Sequence, residues 1–210
     1  AGNQSPRHVT KANTFEEAER LGEILGKAVE KAIPKIKIKD SVELATKVKL
    51  IHDLPKKVFP SVVDAEKKVK AAKDKLEHLR TSNAPKQETR TAECDWFGAE
   101  ETLTLAKAAN DGVLENAYKA CLPAEIQVIK VGDWKFVGWQ GENFIEFALD
   151  VKRNSDNTFI ISVANGEMQG YVVTKEAAEE GGYEASNALF THEAGDIFVA
   201  KTLEALNELN

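Results

Sequence analysis

Between residues 126 and 163 the hydrophobic period of the chain changes twice, and that order of periods restricts the available folds more than any other feature. Ile126, Val128 and Val131, then Trp134, Phe136 and Val137, flank Gly132-Asp133 as two strands flank a hairpin turn. Gly141-Glu142 follows, then Phe144, Phe147, Ala148 and Val151 at helical spacing, then the apolar run Phe159-Ile160-Ile161-Ser162-Val163. Strand, helix and strand within about 30 residues make a βαβ unit, whose crossover is nearly always right-handed and whose strands are parallel. The expected class is therefore α/β, mixed α+β, with a βαβ-containing sheet flanked by helices.

The rest of the chain supplies the flanking helices. Thr14 and Glu17 have capping-box spacing, and Ala18, Leu21, Ile24, Leu25, Ala28, Val29 and Ala32 then predict an amphipathic helix over 15–33. Beyond Pro34 the period drops to two through Ile36, Ile38, Val42, Leu44, Val48 and Leu50, which predicts one long strand or a hairpin bent near Asp40. Residues 61–80 read as a lysine-rich helix with a solvated face, and 81–95 as an exposed connection. A second helical stretch over 96–120, interrupted near Asp111-Gly112, completes a helical hairpin insertion at about 60–120. A helix over 194–209 closes the chain.

Composition removes several function classes. Lysine and arginine total 28 against 34 aspartates and glutamates, a net charge of -6 that argues against nucleic acid as a partner. Apolar residues at 42% and charged residues at 30% fit neither a disordered chain nor a membrane bundle. Cys94 and Cys121 lack CxxC spacing, which excludes a zinc knuckle and a redox pair and leaves a single disulfide open. His8, His52, His78 and His192 form no HxH or HExxH pair, so the sequence carries no self-sufficient metal site. The start at Ala1-Gly2-Asn3 reads as an internal cut or a processed end, with any targeting segment upstream.

Ligands of a βαβ unit usually bind beyond the carboxyl ends of its strands. Two polar loops fall there, Trp139-Gln140-Gly141-Glu142 and Asn165–Tyr171. A short helix from Thr174 to Glu180, stopped by Gly181-Gly182, lets the chain return beside the same place, with Tyr171 and Tyr183 at one rim. Helix capping by Glu142 and plain packing by the two tyrosines are the alternative roles.

Taken together, AGNQSP at 1–6, FEEAERLGEILGKAV at 15–29, VGDWKFVGWQGENFIE at 131–146 and ANGEMQGYVVTKEAAEEGGYEAS at 164–186 resemble the catalytic domain of the neutral/alkaline non-lysosomal ceramidase family. The resemblance is best over 126–209 and good over 1–33. It implies a zinc-dependent amidase that cleaves an N-acyl lipid. Ser5 resembles the active-site serine of the family's GDxSP segment, with Asn3 where the family has Asp. Glu142 matches the glutamate zinc ligand of its PGE loop, with Gln140 in place of Pro. Tyr171 matches the tyrosine ligand, and Tyr183, in a Tyr-Glu pair, the phenol that holds the substrate carbonyl. The family's two histidine ligands have no counterpart here. The resemblance thus implies a C-terminal half of the catalytic domain, partnered by a missing N-terminal half. Family habit adds an extracellular or periplasmic location, and the lysine-rich hairpin offers peripheral membrane contact through anionic lipid. A non-catalytic binding or structural domain that keeps the fold without metal is the alternative, and a metal-free serine hydrolase using Ser5 is a third.

Overall fold

A polar residue that satisfies a free backbone N–H group marks the start of two of the long helices. Thr14 accepts from the Glu17 amide at the head of α1 (Phe15–Ala32), and Ser61 accepts from Asp64 at the head of α2 (Val62–Thr81). The computed structural model describes residues 9–209, which form two compact units, 9–43 and 44–209. Ser5 and His8 lie outside the described residues.

The first unit is α1 and the short 3-10 turn Ile33–Lys35 with the segment that follows. Strand structure does not begin at Ile36 as the alternation suggests. It begins at Leu44, where β1 (Leu44–Ile51) meets Val131, the last residue of β2 (Ala124–Val131). The register with β2 starts at Leu44, and residues 36–43 have no strand partner among the described residues, so their alternation makes no ladder.

The second unit is built on a four-stranded sheet in the order β1-β2-β3-β5, with β3 at Trp134–Trp139 and β5 at Thr158–Ile161. β1 and β2 are antiparallel, as are β2 and β3. β3 and β5 are parallel and joined through α5 (Ile145–Asn154), the expected βαβ unit. Val128, Val137 and Trp139 turn to one face, where α5 and α8 (Glu193–Asn207) cover them with Phe147, Val151 and Phe198. Phe147 lies against Gly195, where an added Cβ would stand 2.0 Å from the ring. The opposite face is open and apolar: Leu44, Val48, Leu50, Ile129, Trp134 and Phe159 are all exposed, and the rings of Trp134, Phe136 and Phe159 stack across the strands.

Residues 52–123 leave and re-enter the sheet at the paired residues Ile51 and Ala124. They carry α2, α3 (Lys86–Asn110) and α4 (Leu114–Cys121). Residues 86–95, expected as connection, are the first turns of α3. Pro85 stands at the N-cap, where a missing N–H costs nothing, and the buried Ala92 with the Arg80–Glu93 and Lys75–Asp95 ion pairs joins those turns to α2. Cys94 and Cys121 are free thiols.

Candidate functional site

The end of β3 is fixed from below. Trp139 is fully buried, meets Phe198 edge-on at 5.9 Å and donates its indole N–H to Thr202 Oγ1 at 2.8 Å. The chain then turns at Gly141, whose φ of +73° suits glycine, and the Asn143 amide ties the turn by donating to the carbonyls of Gln140 (2.7 Å) and Gly141 (3.3 Å). The loop after β5 is stitched to the same turn: Val163 N–H reaches the Gly141 carbonyl at 3.1 Å, Ala164 N–H the Trp139 carbonyl at 2.8 Å, and the Gln140 amide the Asn165 carbonyl at 2.8 Å. Val163 and Asn165 both take left-handed backbone angles, φ 57° and 61°. A β-branched residue in that region is strained, and strain of this kind gathers where loops are held for a purpose.

Beyond the turn the backbone forms a small second ladder, β4 (Glu142–Asn143) beside β6 (Tyr171–Val172), in parallel, with Glu142 directly opposite Tyr171. Glu142 is therefore not a capping carboxylate: α5 starts only at Ile145, and Glu146 is the acid in its first turn. The Tyr171 hydroxyl and the Glu142 carboxylate are close enough to interact. Burial first, and then the negative charge of Glu142, push the Tyr171 phenol up to about 12.

Tyr183 arrives from the other direction. After α6 (Lys175–Glu180) the chain passes through Gly181 and re-enters a helix at once as α7 (Gly182–Asn187), so Tyr183 sits on that helix. Its ring stands edge-on to Tyr171 at a centroid distance of 6.1 Å. Two close approaches hold α7 in place. Gly170, at φ +82°, lets the Asn187 carbonyl come within 2.0 Å of where a Cβ would be, and Gly98 of α3 brings Ser186 Oγ to 3.0 Å of its own missing Cβ. The helical insertion thus carries part of the scaffold that places Tyr183. A groove of about 720 Å³ runs from Tyr183 along α3, with Val69, Phe97 and Leu103 as its apolar wall and Arg90 and Lys107 as its cations. Glu142 and Tyr171 are not among its lining residues.

Three of the four residues singled out in the sequence, Glu142, Tyr171 and Tyr183, therefore come together; Ser5 lies outside the described residues. Of the residues that brace them, Gln140 and Asn165 belong to the two polar loops read from the sequence but carry no assigned role there, and Asn143 was not singled out. Their signal was the polar pair around Gly141-Glu142 and an asparagine before glycine, residues that tie turns and tolerate left-handed angles. Gln140 and Asn143 are buried, and their side-chain carbonyl oxygens have no hydrogen-bond partner among the described residues, which is uncommon for a core that merely needs to be stable.

The chain was compared with protein-family models, curated proteins and solved structures. None of them matches. Function is thus argued from this geometry. A carboxylate, and a phenol once it has lost its proton, are oxygen donors of the kind zinc accepts, so Glu142 and Tyr171 could serve as two ligands. Among the described residues no group of three or more His, Cys, Asp or Glu is placed to hold a metal, so the remaining ligands of such a centre would come from outside residues 9–209.

Proposed function

We propose that this chain forms part of a zinc-dependent amidohydrolase of neutral ceramidase type, which cleaves an N-acyl amide of a ceramide-like lipid into a fatty acid and an amine. The observation that carries the reading is the cross-strand pair of Glu142 and Tyr171 with Tyr183 beside it: three residues from β4, β6 and α7, each matched to a role by the resemblance, lie together. Zinc bound there would polarise the amide carbonyl and lower the pKa of a bound water to about 7. Glu142 and Tyr171 would hold the ion, and Tyr183 would donate its hydroxyl to the carbonyl oxygen as negative charge develops on it. The apolar wall of the α3 groove, which ends at Tyr183, offers a path for an acyl chain. The bare sheet face supports the second half of the proposal, an N-terminal half of the same domain that covers it and supplies the histidines.

The test uses the full domain, with both halves present. Glu142→Ala should lower zinc content and activity together, because a lost ligand affects ground state and transition state alike. Tyr183→Phe should keep its zinc while turnover falls roughly 10²-fold. Zinc retained in Glu142→Ala, or full turnover in Tyr183→Phe, would remove those residues from the scheme. Metal-free protein without hydrolytic activity would favour a binding domain.

A further inference from the structure

Behind α6 and α7 lies a second cavity of about 310 Å³, distinct from the groove along α3. Val173, Ala178, Ala185, Ala188 and Phe190 form its apolar wall, and the Lys57 side chain enters it. Lys57 is placed rigidly. Its own N–H bonds the Leu189 carbonyl at 3.0 Å, the neighbouring Lys56 bridges to Phe190, and Thr191 N–H bonds the Pro55 carbonyl at 2.8 Å. Its ammonium is half-buried and donates to one acceptor, the Ala185 carbonyl at 2.6 Å, with the Phe59 ring 5.4 Å away. An ammonium has three donors; one meets the Ala185 carbonyl, and the other two face the cavity and solvent with no ion-paired carboxylate among the described residues. Of the two acids at the cavity mouth, Glu193 accepts from His192 Nδ1 at 2.6 Å, and Glu179 lies 3.9 Å from Lys175.

We propose that this cavity binds a medium-chain aliphatic carboxylate, the carboxylate on the Lys57 ammonium and the chain against the wall formed by Ala178, Ala185, Ala188 and Phe190. An anion there would use donors that the fold leaves open, and a chain would remove apolar wall from water. Burial, with repulsion from Lys68, pulls the Lys57 pKa down, which is the direction expected of a cation lacking its counter-ion. Size sets the length. At about 30 Å³ for each heavy atom, the volume takes roughly ten, the number in octanoate. The proposal stands apart from the amidase reading, since it uses neither Glu142, Tyr171 nor Tyr183.

Calorimetric titration of the 210-residue chain with octanoate, octan-1-ol and acetate decides it. Octanoate should bind saturably, at least tenfold tighter than either octanol, which lacks the charge, or acetate, which lacks the chain. Lys57→Met should weaken octanoate at least tenfold and leave octanol within threefold. Lys175→Met, at the same mouth but already facing Glu179, should change octanoate binding less than threefold. Ala178→Phe, an exposed position whose new ring fills the cavity, should abolish binding of both. Equal affinity for octanoate and octanol in the unaltered chain overturns the proposal even if Lys57→Met fails to fold. So does octanoate binding that survives either Lys57→Met or Ala178→Phe.

Discussion

Tyr171 carries the sharpest contrast between the chain by itself and a metal-loaded domain. Burial and the Glu142 charge favour its neutral form, so the folded phenol, at about 12, ionises above the ordinary value of 10.0. A folded pKa above the unfolded one means a contribution to stability that is complete below pH 10 and lost as pH rises through 12. Ultraviolet titration of the isolated chain should therefore show phenolate absorbance still rising near pH 12, with Tyr118, which burial also raises, adding to it. Glu142→Gln should return only part of that shift, because burial is the larger cause. A metal ion would reverse the sign, and zinc added to the complete domain should produce phenolate absorbance near neutral pH. Val163 offers a second test at this scale. It is 64% exposed, so it gives up little packing, yet it holds φ at 57°. Val163→Asn should raise stability by about 1 kcal/mol, read as a higher denaturant midpoint with an unchanged slope.

At the scale of elements, the joint between the β6 loop and α7 is the tightest contact near the site. Gly170→Ala puts a methyl group onto the Asn187 carbonyl at a backbone angle unfavourable to alanine. It should cost about 2–4 kcal/mol in chemical denaturation, and if the domain still folds, it should disturb Tyr183 more than Tyr171. Most elements were legible because their apolar residues obey one period. The hairpin around Gly132-Asp133, the crossover helix through Phe147 and Val151, and α1 with its Thr14 cap all show that pattern. The failures occur where tertiary partners decide. Ile36 and Ile38 alternate like a strand but meet none, while Lys86–Asp95 lack a clear apolar period because α3 rests there on one small residue, Ala92, and on ion pairs. The β4–β6 ladder, two residues on each side, is too short to leave any periodic trace; the βαβ rule put the Glu142 and Tyr171 loops at one sheet edge, and the resemblance added only their roles.

For the whole molecule, the open sheet face sets how the chain behaves in solution. A largely antiparallel sheet can leave one face to solvent when that face is polar, but a contiguous apolar patch seeks a partner. The chain by itself should bind a hydrophobic dye and associate with rising concentration in sedimentation. Lysine at both Trp134 and Ile161, each about half exposed, should suppress both effects with little loss of the fold. Dye-free, monomeric behaviour at high concentration would show that the face needs no cover. The pairing of Ile51 with Ala124 has a consequence of another kind. Everything from 52 to 123 is a detour between adjacent positions, so β1 can zip to β2 only after a very long loop has closed, at an entropic cost of about 4 kcal/mol against about 1 for a four-residue turn. The helices of the detour have near neighbours and can form first, drawing the two strand ends together before the sheet exists. A short turn grafted between Ile51 and Ala124 would speed that pairing, while removing the surface on which the Tyr183 helix rests.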